Sequence, residues 1–368
     1  MKKVKLRKKK IILLGIALML IIVLGLGAYA AYGSYRMSLI PGMRFEEMLA
    51  YTTDENKEAV ITVGIIQDGQ MHYTVYGENG TLLPEHEYIY EIGSATKTFT
   101  TSLLCKAIYE GKLNLNDSVG AYLSLPQQNY YPTFKKLATH TSGYKAHYFD
   151  WQMASNFFSG RNSFYGISIE RLIEQAKEHI LEDKAYPFEY SNFGLSILGN
   201  ALSKVYGGTY KDVIEDFILS ELQLENTKIT DRAGDLKRYW DWEIDDGYLP
   251  AGALESTISD MLTYVNLHMT DALPYLNLGH EDTERINATT ASYESLGIRM
   301  DSAGLGWMID TENGILWHNG GTDNYNSYIA FDKENQIGVV ILSNHAPDYK
   351  IPATVMGARL MRDLQNGG

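Results

Sequence analysis

Residues 92–100, which read IGSATKTFT, are the stretch that decides the fold. They contain an S-x-x-K tetrad formed by Ser94 and Lys97, and they open a run of apolar residues at helical spacing that ends at Gly111. Because residues i and i+3 lie on one face of a helix, the Lys97 amine can reach the Ser94 hydroxyl. A serine hydroxyl is a weak nucleophile that needs a base, and a lysine held in a partly dry pocket has a lowered pKa and can serve as that base.

The tetrad alone is weak evidence, because residues 142–145 (SGYK) are a second copy of it. Gly143 interrupts the second copy inside a loop-like stretch, residues 139–143 (THTSG). The first copy instead opens a clean amphipathic helix directly after Gly93, where a helix N-terminus helps to polarise a bound oxyanion. The sequence therefore favours Ser94 as a nucleophile.

A second element is the YSN triplet at residues 190–192. A tyrosine beside a lysine loses its proton more easily, so Tyr190 is a candidate general base or acid. The amide of Asn192 is suited to hold the carbonyl of a substrate side chain. Y-x-N also occurs at Tyr264 and Tyr275, on or just after an apolar helix, where packing is the better interpretation. Tyr190 is expected on a loop that presents side chains.

A third element is the HNGG stretch at residues 318–321, which ends a predicted strand. The adjacent Gly320 and Gly321 let backbone N–H groups approach a ligand closely. Considered alone, the stretch, with His318 at its head, is better explained as a simple turn.

Other chemistry is missing from the sequence. It has no glycine-rich phosphate loop, no H-E-x-x-H and no G-x-S-x-G elbow. Its one cysteine, Cys105, falls on an apolar helix and is expected to be an inert buried thiol. His140 and His147 flank a glycine loop but make a poor metal pair. We expect neither a metal nor a cofactor.

The charge distribution separates a basic end from an acidic body. Seven of the 32 basic residues lie within the first ten positions, which hold no acid, so the rest has 25 basic against 45 acidic residues, a net charge of −20. A body this acidic is a poor partner for nucleic acid.

Residues 11–35 carry no charge and follow the basic tail of residues 1–10. A run of this length can span a membrane as a helix, with the basic flank in the cytoplasm and the rest of the chain outside the cell. The small-x-small pattern at residues 28–30 (AYA) is compatible with signal cleavage and secretion instead. The length of the run favours an uncleaved, single-pass anchor in the cell membrane over a cleaved segment or a buried core helix.

The remainder predicts an α+β fold. Residues 36–56 are expected to form a polar stem, and residues 57–368 a single domain. Residues 59–76 predict a hairpin, residues 112–245 a helical region, and residues 305–342 four short strands before a closing helix. Strands at both ends of the sequence with helices between them favour one antiparallel sheet built from both termini.

In this order, the three elements resemble the serine β-lactamase and penicillin-binding-protein-like hydrolases, which include class C β-lactamases, D-alanyl-D-alanine carboxypeptidases and D-amino-acid esterases. The THTSG stretch and residues 250–262 and 318–344 also look like recurrent segments of that family. The resemblance implies an antiparallel sheet flanked by helices beside an all-helical region, with the site between them.

The resemblance also implies roles. Ser94 would be acylated, Lys97 and Tyr190 would manage its proton, and Asn192 would orient the substrate. Backbone N–H groups of Ser94 and Gly321 would form the oxyanion hole. His318 stands where many relatives place the lysine of a K-T-G triad. This departure is closer to the carboxypeptidase and esterase branch, so we expect weak or absent β-lactam turnover.

The leading hypothesis is a membrane-anchored extracytoplasmic hydrolase of D-alanyl or other D-amino-acid amides and esters, acting on cell-envelope or small peptide substrates. β-Lactams are candidate covalent ligands. The alternatives are a class C-like β-lactamase or general esterase, and a penicillin-binding sensor that is acylated without turnover.

Overall fold

The computed structural model describes residues 38–270 and 272–367. The predicted basic tail and the predicted anchor or signal segment, residues 1–10 and 11–35, lie outside this part. Among the described residues, no helix is both long and apolar enough to cross a bilayer. The chain divides into a unit up to Arg44, whose described part contains the 3₁₀ turn Ile40–Gly42, and a unit from Phe45 onward.

The described part of the second unit is built from short strands and helices. The strands are β1 Ile61–Gln67, β2 Gln70–Tyr76, β3 Tyr90–Glu91, β4 Lys228–Ile229, β5 Leu254–Ser256, β6 Glu284–Arg285, β7 Ser302–Ala303, β8 Met308–Asp310, β9 Ile315–Gly321, β10 Asn326–Asp332 and β11 Ile337–Ser343. The α-helices are α1 Phe45–Thr53, α2 Thr96–Tyr109, α3 Phe134–Ala138, α4 Trp151–Phe158, α5 Ile169–Glu178, α6 Asn192–Tyr206, α7 Tyr210–Asp216, α8 Leu249–Gly252, α9 Ile258–Met269, α10 Ala291–Ser295 and α11 Ala353–Gln365.

The main sheet of the described residues has eight antiparallel strands in the order β2-β1-β11-β10-β9-β8-β7-β6. β1 lies beside β11, with Ile61 opposite Ser343, so both ends of the sequence build one sheet as predicted. The predicted hairpin is also confirmed. Asp68 and Gly69 form its turn with φ values of 52° and 72°, the left-handed conformation that a two-residue hairpin requires.

Helices cover both faces of this sheet. Helix α9 packs on β1, β10 and β11, and Gly64 and Gly338 give it room to approach, while α11 packs on β10 and β11 from the other side, where Gly357 meets the ring of Tyr328. All residues of β10 and β11 are therefore buried, which explains why the sequence of β11, IGVVILS, is almost entirely apolar rather than alternating.

The region predicted as all-helical contains other structure as well. Its helices are joined by long loops, and β4 pairs with β5, which in turn pairs with β3, to form a second, three-stranded sheet. The prediction of an all-helical region is therefore wrong in detail, because two-residue strands are too short to give a periodic signal in the sequence. This small sheet ties the strand before Ser94 to the segment that precedes α9.

The predicted polar stem, residues 36–56, also needs correction. Residues 45–53 form α1, which buries Phe45, Met48 and Leu49 and packs against α11. The spacing of these apolar residues is helical, but the neighbouring acidic residues made the segment look polar. The domain therefore begins before residue 57.

Candidate active site

Ser94 lies in a 3₁₀ turn, Gly93–Ala95, that leads into α2. The turn is wedged against β9. A Cβ on Gly93, whose φ is +50°, would stand 2.5 Å from the backbone nitrogen of Gly321. Only glycine permits this approach. The turn thus brings the nucleophile segment and the end of β9 side by side.

Lys97 is completely buried on the first turn of α2. Its Nζ lies 2.8 Å from the Ser94 Oγ and donates to the carbonyl oxygen of Ala251 at 2.6 Å. Burial lowers the pKa of Lys97 well below its ordinary value. Among the described residues, none forms an ion pair with Lys97 that would offset this effect. The amine is therefore suited to accept the serine proton.

Tyr190 lies just before α6, with Ser191 as the N-cap and Asn192 as the first helical residue. The Lys97 Nζ is 5.0 Å from the centroid of the Tyr190 ring. Burial raises the pKa of Tyr190 above its ordinary value, against a smaller opposing effect of its hydrogen bond with Ser94. The expectation that the phenol is readily deprotonated is thus not met in the free protein. A phenol that burial keeps protonated is suited to act as an acid or a proton relay beside Lys97.

His318 is buried on β9, with its ring centroid 6.1 Å from that of Tyr190. Its Nδ1 lies 2.6 Å from the carbonyl oxygen of Asn319. Burial is the main cause that lowers the pKa of His318, to about 3. The ring is therefore neutral at physiological pH and offers no cation to a substrate carboxylate.

The two glycines at the end of β9 have different surroundings. A Cβ on Gly320 would collide with the carbonyl oxygen of Ile92 at 1.8 Å, the same oxygen that accepts a hydrogen bond from the Ser327 Oγ at 2.7 Å. Gly320 thus permits close packing of the nucleophile segment. Gly321 faces the cavity beside Ser94, where its N–H could serve an oxyanion.

Ser94, Asn192 and Gly321 share a small cavity of about 40 Å³. The remaining lining residues are Phe164, Trp240, Trp242, Tyr248, Ala251 and Gly252. The Oδ1 of Asn192 is buried and has no hydrogen-bond partner among the described residues, so it is available to a ligand. The cavity carries no formal charge on its lining side chains and is rich in aromatic surface.

Sequence reasoning missed two parts of the site. His140, dismissed as half of a poor metal pair, packs on Tyr190 with ring centroids 4.4 Å apart. Trp240 and Trp242 reach the cavity from a loop without regular structure. The THTSG stretch was a usable signal for His140, whereas nothing in the local sequence placed the two tryptophans near Ser94.

Two further candidates from the sequence, Cys105 and a metal site, do not contribute to this site. Cys105 is buried, and burial raises the pKa of its thiol to about 12. In residues 38–270 and 272–367, no group of three His, Cys, Asp or Glu side chains is arranged to hold a metal ion.

The Lys97 amine is buried next to the Ser94 hydroxyl, beside a cavity between the antiparallel sheet and the helices. This arrangement is typical of active-site serine enzymes. Residues 45–356, which are most of the described chain, match the Beta-lactamase family. The protein therefore belongs to that family.

Two curated relatives illustrate its range within the family. The chain is 24% identical over 280 residues to "Protein flp" of Staphylococcus aureus strain MW2, covering 71% of this chain and 53% of the relative. It is 23% identical over 336 residues to the D-alanyl-D-alanine-carboxypeptidase/endopeptidase AmpH of Escherichia coli K12, covering 83% of each. The chain thus spans about half the length of the flp proteins that it matches.

Solved structures agree on the fold. The octameric penicillin-binding protein homologue from Pyrococcus abyssi has a TM-score of 0.67 at 21% identity, covering 93% of this chain and 77% of the other. A β-lactamase/D-alanine carboxypeptidase from Yersinia pestis gives 0.64 at 21%, covering 86% and 95%. A class C β-lactamase from Rhodobacter sphaeroides gives 0.63 at 20%, covering 83% and 94%.

Proposed function

We propose that this protein is a serine hydrolase that works through an acyl-enzyme on Ser94. The observation that carries the proposal is the 2.8 Å approach of the buried Lys97 amine to the Ser94 Oγ at the edge of a cavity. A neutral amine at this distance accepts the serine proton as the oxygen attacks a carbonyl carbon.

The remaining groups suit the later steps. N–H groups of Ser94 and Gly321 would hold the developing oxyanion, an effect worth about 3 kcal/mol for each donor. Tyr190, which burial keeps protonated, would pass a proton to the leaving group. Lys97 would return its proton to the Tyr190 oxygen, so both groups are neutral in the acyl-enzyme. Water would then attack the ester, with Lys97 accepting the water proton and passing it to the Ser94 Oγ as the acyl group leaves as a carboxylic acid.

D-Alanyl and related D-amino-acid amides or esters are the proposed substrates, from the cell envelope or from small peptides. The name of the AmpH relative, a D-alanyl-D-alanine-carboxypeptidase/endopeptidase, supports this substrate class. β-Lactams are proposed as covalent ligands with slow turnover, because the neutral His318 cannot hold their carboxylate as a lysine would.

A general esterase is the second candidate, favoured by the uncharged, aromatic lining of the cavity. An ester without a free carboxylate fits such a cavity without burying an unpaired charge. Comparing kcat/KM for a D-alanyl-D-alanine peptide and for its methyl ester separates the two candidates.

We further propose that the hydrolase is anchored in the cell membrane and faces outward. Support comes from the seven basic residues followed by 25 uncharged residues at the N-terminus. Fractionation of cells expressing the full chain, and of cells expressing a chain without residues 1–35, tests this: only the full chain should sediment with membranes.

The function is tested by covalent labelling and by turnover. A fluorescent phosphonate or penicillin should label the wild-type protein and not Ser94→Ala, and labelling of Ser94→Ala would exclude Ser94 as the nucleophile. Release of D-alanine over many turnovers identifies a hydrolase, whereas a single stoichiometric acylation would identify the sensor alternative.

A further inference from the structure

His140 accepts hydrogen bonds from the backbone on both sides of Tyr190. Its carbonyl oxygen accepts the N–H of Glu189 at 2.8 Å, and its ring Nδ1 accepts the N–H of Ser191 at 3.0 Å. The imidazole lies against the Tyr190 ring, with centroids 4.4 Å apart and planes inclined by 31°. One residue thus fixes the peptide groups before and after the phenol and also supports the face of its ring.

His140 is itself held firmly. It follows α3 in the left-handed conformation, with φ of 56°, and its N–H donates to the carbonyl oxygen of Leu137 at 3.3 Å. The ring of Phe188 meets the imidazole edge-on at 6.0 Å, and only 1% of the His140 surface is exposed. A non-glycine residue in this backbone conformation persists only where the surroundings hold it.

The hydrogen bonds also assign the protonation state of the ring. Because Nδ1 accepts the Ser191 N–H, the proton of the neutral imidazole is assigned to Nε2. Burial lowers the pKa of His140 well below its ordinary value. A protonated ring would lose the Nδ1 acceptor and its hydrogen bond with the Ser191 N–H. His140 therefore holds this segment only when its imidazole is neutral.

We propose that His140 is the positioning residue that sets the Tyr190 phenol against Ser94 and Lys97 for proton transfer. The inference rests on the proposed serine hydrolase function. Among the described residues, the side chain of His140 contacts Ser191, Tyr190 and Phe188, which all lie in the segment that carries the phenol, so His140 acts on the reaction through Tyr190. A misplacement of about 1 Å in a catalytic group costs on the order of a hundredfold in rate.

The first test compares His140→Phe, which keeps a ring but loses the acceptor, with His140→Asn, whose shorter side chain retains an acceptor oxygen. We expect His140→Phe to lower kcat about 10- to 100-fold with KM changed less than about threefold, and His140→Asn to recover part of the loss. The buried His268 on α9, whose pKa burial also lowers, provides the matched control His268→Phe. An equal loss of kcat in the control would overturn the positioning role.

A double-mutant cycle keeps the test decisive even where His140→Phe loses stability. If His140 acts through the phenol, His140→Asn should reduce kcat much less in a Tyr190→Phe background than in the wild type. Equal, multiplicative losses in both backgrounds would contradict the proposal.

The pH profile of kcat supplies an independent readout. The titratable groups that face the Tyr190 ring are Lys97, His140 and His318. His140→Asn should shift the limb of the profile that Tyr190→Phe removes, and an unshifted limb would contradict the role. Probe labelling of the wild type and of Ser94→Ala is measured in parallel. If labelling does not depend on Ser94, the hydrolase proposal fails rather than the positioning role of His140.

Discussion

The molecule contains the same tetrad twice, and only one copy forms a site. In the first copy, the Lys97 amine is fully buried and lies 2.8 Å from the Ser94 Oγ. In the second copy, the Lys145 side chain is 62% exposed and pairs with Glu189 at 2.9 Å. The Ser142 Oγ in that copy accepts the N–H of Tyr144 at 3.2 Å.

The difference comes from the backbone and from burial, not from the residue types. The first tetrad crosses from a 3₁₀ turn into a helix, which places Ser94 and Lys97 on one face. Gly143, with φ of +86°, breaks the second tetrad, and the ring of Tyr186 fills the space beside it. Burial depresses the pKa of Lys97, whereas the hydrogen bond with Glu189 raises that of Lys145.

The largest expected effect is a difference in activity between substitutions of the two lysines. Lys97→Met should lower kcat/KM for a D-alanyl ester by at least about a thousandfold, because the serine loses its base. Lys145→Met removes only an exposed ion pair and should change kcat/KM less than twofold. Steady-state hydrolysis of the same ester by both variants measures this, and comparable losses would mean that the second tetrad also contributes to the site.

The pH dependence of acylation sharpens the contrast. Burial favours the neutral amine, so the pKa of Lys97 lies well below its ordinary value and the base form is present at a lower pH than for an exposed lysine. As the pH falls through this depressed pKa, the amine is protonated and kcat/KM should drop by up to tenfold for each pH unit.

Labelling rates with a phosphonate probe, measured between pH 5 and pH 11, provide the profile. Lys145→Met should superimpose on the wild type. A limb that rises only near the ordinary lysine pKa would contradict a desolvated base.

The neutral His318 gives a smaller, selective effect. His318→Lys restores a cation on β9, so the ratio of kcat/KM for a D-alanyl-D-alanine peptide over that for its methyl ester should rise about tenfold. Asn319→Lys, at the exposed neighbouring position, is the matched control and should leave the ratio unchanged. An unchanged ratio in His318→Lys would show that this position does not recognise the carboxylate.

Stability should change least and in the opposite direction to activity. Lys97→Met replaces a desolvated amine that has no ion-pair partner among the described residues, so it should stabilise the protein by about 1 kcal/mol. Lys145→Met should alter stability by less than about 1 kcal/mol, as is usual for exposed pairs. Urea unfolding of both variants measures this, and a less stable Lys97→Met protein would count against burial of an unpaired amine.

Long, regular elements were predictable from the sequence. The hairpin of β1 and β2, helix α2 after Ser94 and the closing helix α11 appear where the apolar periodicity placed them. Short elements were not predictable, because two-residue strands such as β4 carry no period and their pairing depends on partners remote in sequence. Helix α1 was missed because its acidic residues masked an apolar face.

For the site, the sequence by itself determined which groups are available: a serine and a lysine three residues apart before a helix, a phenol, and paired glycines. Only the tertiary structure decided their chemistry. Folding excludes water from Lys97 and shifts the pKa values of Tyr190 and His318 so that both stay neutral. It also packs His140 against the ring of Tyr190. The reason is that a protonation state depends on solvent exclusion and on neighbouring charges, which long-range packing controls and local sequence does not.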